Sequence, residues 1–352
     1  MKTCTILGLE TSCDETAAAV VVDGRNVRSN LVSSQVKLHA KYGGVVPEIA
    51  ARAHIEQVAP LVEAALAEAG VGYRDLDALA VTAGPGLVSS LLIGVTAART
   101  LALTCGLPLV PVDHIEAHAT SAALAHDPPP WPAVALVVSG GHTSLYLVRD
   151  YCDIALLGQT VDDAAGEAFD KVAAILELGY PGGPAIDRVA REGNPRAVRF
   201  PRTWIDTPHF NFSFSGLKTA VLYHVYGAGQ KYGSVAHLTP RQVADVAASF
   251  QAALVETLVA KTVAAARHAG LKNVVVGGGV AANSALRSDL QSACDEAGLR
   301  LHLTPLEYCT DNAAMIAAVG YQRFLRGETA GLRLEPHAGL LRPRRKGEKV
   351  TK

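Results

Sequence analysis

The chain has 352 residues, 49% hydrophobic and 18% charged, which is enough for two domains with their own cores and excludes disorder over most of its length. Aromatics make up only 5% while Ala, Val, Leu and Gly are abundant, which favours an α/β protein over a β-sandwich. A formal net charge of −1 gives no whole-molecule field for a polyanion, so nucleic-acid binding has to come from local patches or from a partner's surface.

Six cysteines (Cys4, Cys13, Cys105, Cys152, Cys294, Cys309) are scattered without a C-x-x-C pair, which reads as reduced thiols in a cytoplasmic protein. Residues 1–4 run directly into an alternating strand pattern, without a secretory h-region. The longest apolar stretch, 87–112, is broken by Ser89, Ser90, Thr96, Arg99, Thr100 and Pro108, so no membrane span is expected.

Residues 5–10 read as a short apolar strand, 11–16 as a polar turn and 17–22 as a second strand ending at Asp23-Gly24, a hairpin with a polar tip. Helical periodicity covers 47–69 and 86–105, alternating with strands at 78–82 and 109–112. Then comes Asp113-His114-Ile115-Glu116-Ala117-His118. Two imidazoles four residues apart on a helix project from one face and can grip one metal ion. They leave coordination positions open, with Asp311 the leading candidate for a third ligand and room for solvent or substrate. The competing reading of the same spacing is a packed or capped helix face. Glu116 argues against a zinc protease. In H-E-x-x-H the Glu directly follows the first His, whereas here it lies two residues on, about 200° around the helix and away from an ion.

The Pro-rich segment 127–132 cannot continue a helix and marks a junction. The hairpin plan then returns: strand 134–138, loop Ser139-Gly140-Gly141-His142-Thr143-Ser144, strand 145–148, which implies a duplicated domain plan. Helices are expected near 164–178, 184–192 and 240–269, with a strand at 273–276, giving two doubly wound lobes. Arg188, Arg191, Arg196, Arg199 and Arg202 form one basic patch, and Arg342-Pro343-Arg344-Arg345-Lys346 with Lys349 and Lys352 forms another. The first also reads as a solvated face and the second as a disordered end. A final helix is expected at 312–325, with Thr310 as its cap and Asp311 in its first turn; simple capping is the competing reading for both.

Glycine-rich strand-to-helix turns aim backbone N–H groups at an anion. Three occur in the second half, at 139–143, 180–187 and 276–283. Each alone is no more than a tight turn; together they argue for a nucleotide. Asp187, one helical turn after Gly183, and Asp170 on an adjacent helix can accept hydrogen bonds from ribose hydroxyls, or can be solvated helix-face carboxylates.

Taken together, Glu10-Thr11-Ser12-Cys13-Asp14-Glu15-Thr16, Lys41-Tyr42-Gly43-Gly44-Val45-Val46-Pro47-Glu48, the His114/His118 pair, Val138-Ser139-Gly140-Gly141-His142-Thr143, Phe212-Ser213-Phe214-Ser215-Gly216-Leu217-Lys218 and Cys309-Thr310-Asp311-Asn312-Ala313-Ala314-Met315 closely resemble one family. It is the bacterial tRNA threonylcarbamoyladenosine transferase (TsaD) family, and the resemblance runs from about residue 5 to about residue 330. It implies an α/β fold of the duplicated actin-like, Hsp70-like, sugar-kinase-like kind, with the active cleft between two lobes. The lobes would be 1–112, completed by a C-terminal helix at 311–340, and 113–310 with the nucleotide loops; 341–352 is a basic tail outside the resemblance.

The implied activity is transfer of threonylcarbamoyl from threonylcarbamoyl-AMP to the exocyclic amine of the adenine beside the anticodon, in tRNAs that read codons beginning with adenine. The resemblance implies metal ligation by His114, His118 and Asp311, with Fe2+ favoured and Zn2+ the alternative. On the nucleotide side it implies Val137, Val138, Ser139, Gly140, Gly141, Asp170, Gly183, Asp187 and Asn283. It places Asp14 and Glu15 near the reaction centre, with Glu15 a candidate acceptor for the amine proton. Implied partners are tRNA, a TsaB-like dimerisation partner and a TsaE-like ATPase, without a membrane. Two alternatives stay open: a metal-dependent O-sialoglycoprotein endopeptidase, against which Glu116 and the cytosolic features argue, and an actin-like ATP-binding scaffold with a structural metal.

Overall fold

The computed structural model describes residues 3–125, 127–230 and 233–338; the basic tail lies outside the described residues. Two hairpins open two sheets. In the first, β1 (Thr5–Glu10), β2 (Glu15–Val22) and β3 (Asn26–Ser34) pair antiparallel, and β4 (Ala78–Gly84) and β5 (Leu109–Asp113) add parallel to β1, giving the order β3-β2-β1-β4-β5. In the second, β6 (Ala133–Val138), β7 (Thr143–Asp150) and β8 (Asp153–Gln159) pair antiparallel, and β9 (Asn273–Gly277) and β10 (Arg300–Leu303) add parallel to β6, giving β10-β9-β6-β7-β8. Strand for strand, the second sheet repeats the first. The duplication read from two hairpins thus extends to all five strands.

The helices are α1 (Val36–His39), α2 (Pro47–Ala69), α3 (Val88–Cys105), α4 (His114–Thr120), α5 (Ala165–Ile175), α6 (Gly182–Ala190), α7 (Ser215–Tyr226), α8 (Pro240–His268), α9 (Ser284–Glu296) and α10 (Ala313–Leu325). The first sheet is covered on both faces, so its strands sort by alternation. Leu7, Leu9, Ala18 and Val20 face α2 and α3 through Val62, Leu66, Val95 and Ala98; Ile6, Ala17, Ala19 and Val21 face α10 through residues 313–319. Small residues let α10 lie close. A Cβ on Gly8 would stand 2.4 Å from the Ala313 carbonyl oxygen, and one on Gly320 2.3 Å from the Ala80 Cβ.

One face of the second sheet packs on α5 to α9 around Val134, Leu136, Phe169, Phe250 and Leu254. The other meets α4: Ile115 and Ala119 sit among Ala133, Ala135, Val137 and Val275, while Ala117 of the same helix belongs to the α10 core. Helix α4 is therefore a wedge between the two sheets. Glu116 pairs with Arg323 of α10, both largely buried, and so fastens the wedge on the side away from His114.

Several boundaries differ from expectation. Asn312, not Thr310, caps α10, its side chain accepting from the Met315 N–H at 3.0 Å, so Asp311 stands just ahead of the helix instead of in its first turn. That helix ends at Leu325, where the expected final helix ends, and not at 340 as the lobe bounds imply; Gly327 takes the left-handed φ of 71° that stops it, and the chain runs on without helix to 338, its Ala330 N–H donating to the Leu109 carbonyl at 2.8 Å. Helix α6 begins at Gly182, because Asp170 accepts its N–H at 2.7 Å.

Helices α3 and α8 are long and apolar enough to cross a bilayer by length and composition. Both serve the fold instead: 72% of the most apolar window of α8 is buried, and α3 packs its Val95, Ala98 and Ala102 on the first sheet.

Candidate active site between the sheets

Asp113 ends β5 and caps α4, its Oδ1 accepting from the Ile115 and Glu116 N–H groups at 2.8 and 3.2 Å. The helix therefore starts at His114 with a fixed phase, and His114 and His118 face the same way, their rings 4.6 Å apart and nearly perpendicular. Asp311, delivered by the crossing from β10 to α10, places Oδ1 2.9 Å from His118 Nε2 and 3.6 Å from His114 Nε2. One ligand atom from each of these residues lies within 4.8 Å of the others, in the single group of three or more His, Cys, Asp or Glu among the described residues that could hold a metal ion.

Behind His114 stands Glu10, fully buried. Its carboxylate accepts from His114 Nδ1 at 3.0 Å, from the Thr82 hydroxyl at 2.7 Å and from the Ser12 N–H. That fixes one His114 proton on Nδ1 and turns Nε2 toward Asp311, the carboxylate–histidine arrangement seen behind metal-bound imidazoles. Burial alone would raise Glu10, but the His114 imidazole outweighs it and holds the carboxyl below its ordinary value. Burial lowers His114, yet Asp311 and Glu10 overcome it and push it up to about 9. Burial raises Asp311, and both imidazoles drive it down despite that. His118 is lowered by burial and by His114, and its Nδ1 is buried without a hydrogen-bond partner. The pocket thus demands a positive charge between two carboxylates, and without a cation His114 supplies it with a proton. Two imidazole nitrogens and one carboxylate are a donor set that suits a divalent ion of the Fe2+ or Zn2+ kind.

The turn between β1 and β2 faces this cluster. It is braced from behind: Ser12 O accepts from the Leu87 N–H at 2.8 Å, Thr11 Oγ1 donates to Ser90 O at 3.0 Å, and His54 of α2 bridges Thr16 Oγ1 and Cys13 O at 2.8 and 2.9 Å. Asp14 and Glu15 sit at the tip. Burial, then Asp311, then Asp14 raise Glu15 to about 9, and Ser34 Oγ donates to its carboxyl at 3.1 Å. The Asp14 charge acts across the cleft, where, after burial, it helps raise Asp170 and Tyr180.

On the opposite wall, the Ser139 carbonyl accepts from the Gly166 N–H at 3.1 Å, and a Cβ on Gly166 would stand 2.6 Å from that oxygen, so α5 abuts the loop through its glycine. Added Cβ atoms on Gly140, Gly141 and Gly183 would meet nothing within 4 Å; these three edges are open. Asp187 and Asn283 come together: Asp187 Oδ1 accepts from Asn283 Nδ2 at 3.3 Å and from Ser284 Oγ at 2.7 Å, and its Oδ2 pairs with Arg191. Asp170 stands one loop away on the Gly182 N–H. Val137 and Val138 differ from the rest. Both are fully buried, their side chains on opposite faces of the second sheet, so they offer a ligand no side-chain contact. Gly277 ties the two walls together, since a Cβ there would be 2.2 Å from the His118 carbonyl oxygen.

Residues singled out for no role in the sequence complete the cluster: Glu10, Ser12, Thr82 and His142. The His142 ring lies 6.2 Å from His114, and burial with His114 lowers it to about 4, so it is neutral at physiological pH. Glu10 carried a readable signal, an ionisable residue closing an otherwise apolar buried strand.

Residues 26–318 match the family described as tRNA N6-adenosine threonylcarbamoyltransferase, TsaD. The proteins of that name from Moorella thermoacetica and Anaeromyxobacter dehalogenans are 52% and 54% identical to this chain, over 94% and 93% of it and over 94% and 96% of their own lengths. The chain belongs to this family. Solved structures similar to this transferase share its fold: HypF of T. kodakarensis (TM-score 0.60, 16% identity, 93% of this chain and 47% of that one) and component A of (R)-2-hydroxyglutaryl-CoA dehydratase from Acidaminococcus fermentans (TM-score 0.53, 16% identity, 91% and 98%). The transferase thus has the two-lobe actin-like architecture.

Proposed function

We propose that this chain transfers the threonylcarbamoyl group from threonylcarbamoyl-AMP to the exocyclic amine of the adenine beside the anticodon, releasing AMP. Identity above one half to curated transferases over nearly the whole chain carries that reading. The site chemistry agrees with it. The amine nitrogen forms a bond to the carbonyl carbon of the mixed anhydride, the bond from that carbon to the phosphate oxygen breaks, and the amine gives up a proton. An aromatic amine is a weak nucleophile, so alignment and charge stabilisation must supply the rate.

His114, His118 and Asp311 would hold one divalent cation, Fe2+ by preference and Zn2+ as the alternative. A cation bound there supplies Lewis-acid stabilisation of charge on the carbonyl oxygen. Glu10 keeps the His114 lone pair aimed at it. Gly140 and Gly141, with open edges, would hold the phosphate by backbone N–H groups, and Asp187 and Asn283 would take the ribose, with Asp170 and Gly183 closing the same wall. The contribution of Val137 and Val138 is backbone only. Glu15, with Asp14 beside it, would receive the amine proton.

The lobes are taken as 1–112 with 311–340, and 113–310. An anticodon-loop base is already single-stranded and turns into the cleft without duplex melting. A TsaB-like dimerisation partner and a TsaE-like ATPase would complete a cytoplasmic assembly. The endopeptidase alternative gains no base from Glu116, which is engaged by Arg323 on the far side of α4. Incubating the purified chain with those partners, threonylcarbamoyl-AMP and unmodified tRNA should yield N6-threonylcarbamoyladenosine in the tRNA digest by mass spectrometry. A digest without it contradicts the assignment.

A further inference from the structure

Beyond the cleft, residues 193–202 form a strap laid along α8. The Asn194 N–H donates to Asp245 at 2.7 Å, the Val198 N–H to Ser249 Oγ at 3.1 Å, and Arg202 forks onto Glu256 at 2.7 and 3.0 Å. From 245 to 256 these anchors span about 16 Å of helix. Phe200 points inward, 4% exposed, while Arg196 and Arg199 point out and make no ion pair with any described residue. A solvated arginine patch usually finds nearby carboxylates, yet between 188 and 204 the one acid is Glu192.

The strap ends on Trp204, which is 37% exposed and held at φ 59°, a left-handed conformation uncommon for a bulky residue. Its carbonyl accepts from the Thr207 N–H at 3.2 Å and hydroxyl at 2.7 Å, and its ring meets the His209 ring edge-on at 5.1 Å. Lys261, 2% exposed, donates to Thr207 Oγ1 at 3.2 Å and His209 O at 2.8 Å. A buried ammonium with no carboxylate partner among the described residues is thus committed to holding the turn that displays this indole. Unpaired guanidinium groups and an exposed, braced aromatic are the two elements that single-stranded RNA surfaces combine, the first for phosphates and the second for the face of a base.

We propose that the strap from Arg196 to Trp204 is an RNA-docking surface of this transferase, with Arg196 and Arg199 on backbone phosphates and Trp204 stacked on an unpaired base of the tRNA. This rests on the transfer reading above. Ser249, which receives the strap, and Gln251, which accepts from Asn283 on the nucleotide wall at 2.8 Å, are two residues apart on α8. The strap therefore runs about one helix diameter, some 10–12 Å, from that wall, within the reach of one tRNA molecule.

The test measures transfer by the reconstituted complex as a function of tRNA concentration and of salt. In Trp204→Ala the KM for tRNA should rise about tenfold, and Trp204→Phe should recover most of the loss. In the Arg196→Ala, Arg199→Ala double variant, the slope of log affinity against log salt should fall by about 1.4 to 1.8. The KM for threonylcarbamoyl-AMP should stay at the wild-type value in all three, which separates docking from misfolding. Wild-type KM for tRNA and wild-type salt slope overturn the inference, as does weakened assembly with the protein partners and unchanged tRNA affinity. A wild-type complex without transfer would instead overturn the preceding assignment, and this inference with it.

Discussion

Transfer by a His118→Ala variant is expected to fall by at least ~10³-fold, the several kcal/mol of transition-state stabilisation that Lewis-acid assistance supplies. His118 is fully buried and its ring's one hydrogen bond among the described residues is to Asp311 at 2.9 Å, so alanine removes a donor that neither solvent nor a neighbour can replace. The helix should survive. Its start is fixed by Asp113 and its flanks by Ile115, Ala117 and Ala119, none of which contacts the deleted ring as a cap. Bound metal measured on the purified variant should drop well below one ion per chain, while affinity for threonylcarbamoyl-AMP changes little, because Asp187, Asn283 and the glycine edges lie on the other wall. A variant that loses metal and keeps transfer would make the cation structural, as in the scaffold alternative.

A Gly277→Ala substitution should be among the costliest single changes in the chain, about 3 kcal/mol or more, read from the midpoint of urea unfolding. The added methyl would stand 2.2 Å from the His118 carbonyl oxygen and 2.9 Å from Ser121 Oγ. The first of these is backbone, so no rotamer change relieves it, and the relief available is to push α4 off β9. That motion carries His118 out of line with Asp311, so metal affinity should fall together with stability. Gly141→Ala and Gly183→Ala are the controls. Their added methyls meet nothing within 4 Å, so they should unfold as the wild type does, and any loss they show in threonylcarbamoyl-AMP affinity reports on the open edges themselves.

Much of this arrangement was legible from residue order. The apolar runs at 5–10 and 134–138 are central strands buried on both faces, so their composition announces them, and their shared hairpin plan announces the duplication. The imidazole pair was readable because helical geometry alone places positions 114 and 118 together. Less could be seen at the edges. β3, β8 and β10 are outermost or nearly so, part-exposed and mixed in composition, and their pairing is decided by the neighbours they meet. Asp311 could be suspected from its motif, but its distance from His118 depends on a crossing of 193 residues that only the packing of α10 on the first sheet determines. Asn312 took the cap from Thr310 for a similar reason: its Nδ2 also donates to the carbonyls of Tyr308 and Thr310 at 3.1 and 2.8 Å, which holds its side chain over the helix start. Glu10 was conspicuous in its strand, but its role was not readable, because a buried carboxylate reads as a strand terminus until the imidazole 104 residues away is placed beside it.

On the proposed mechanism one cation, held by His114, His118 and Asp311, assists the acyl transfer. The direct measurement strips the purified protein of metal with a chelator, removes the chelator and follows N6-threonylcarbamoyladenosine formation in the reconstituted reaction before and after adding back Fe2+ or Zn2+. Transfer should vanish on stripping and return with about one ion per chain in the wild type, but not in His118→Ala. Stripped protein that transfers at the full rate would contradict the claim.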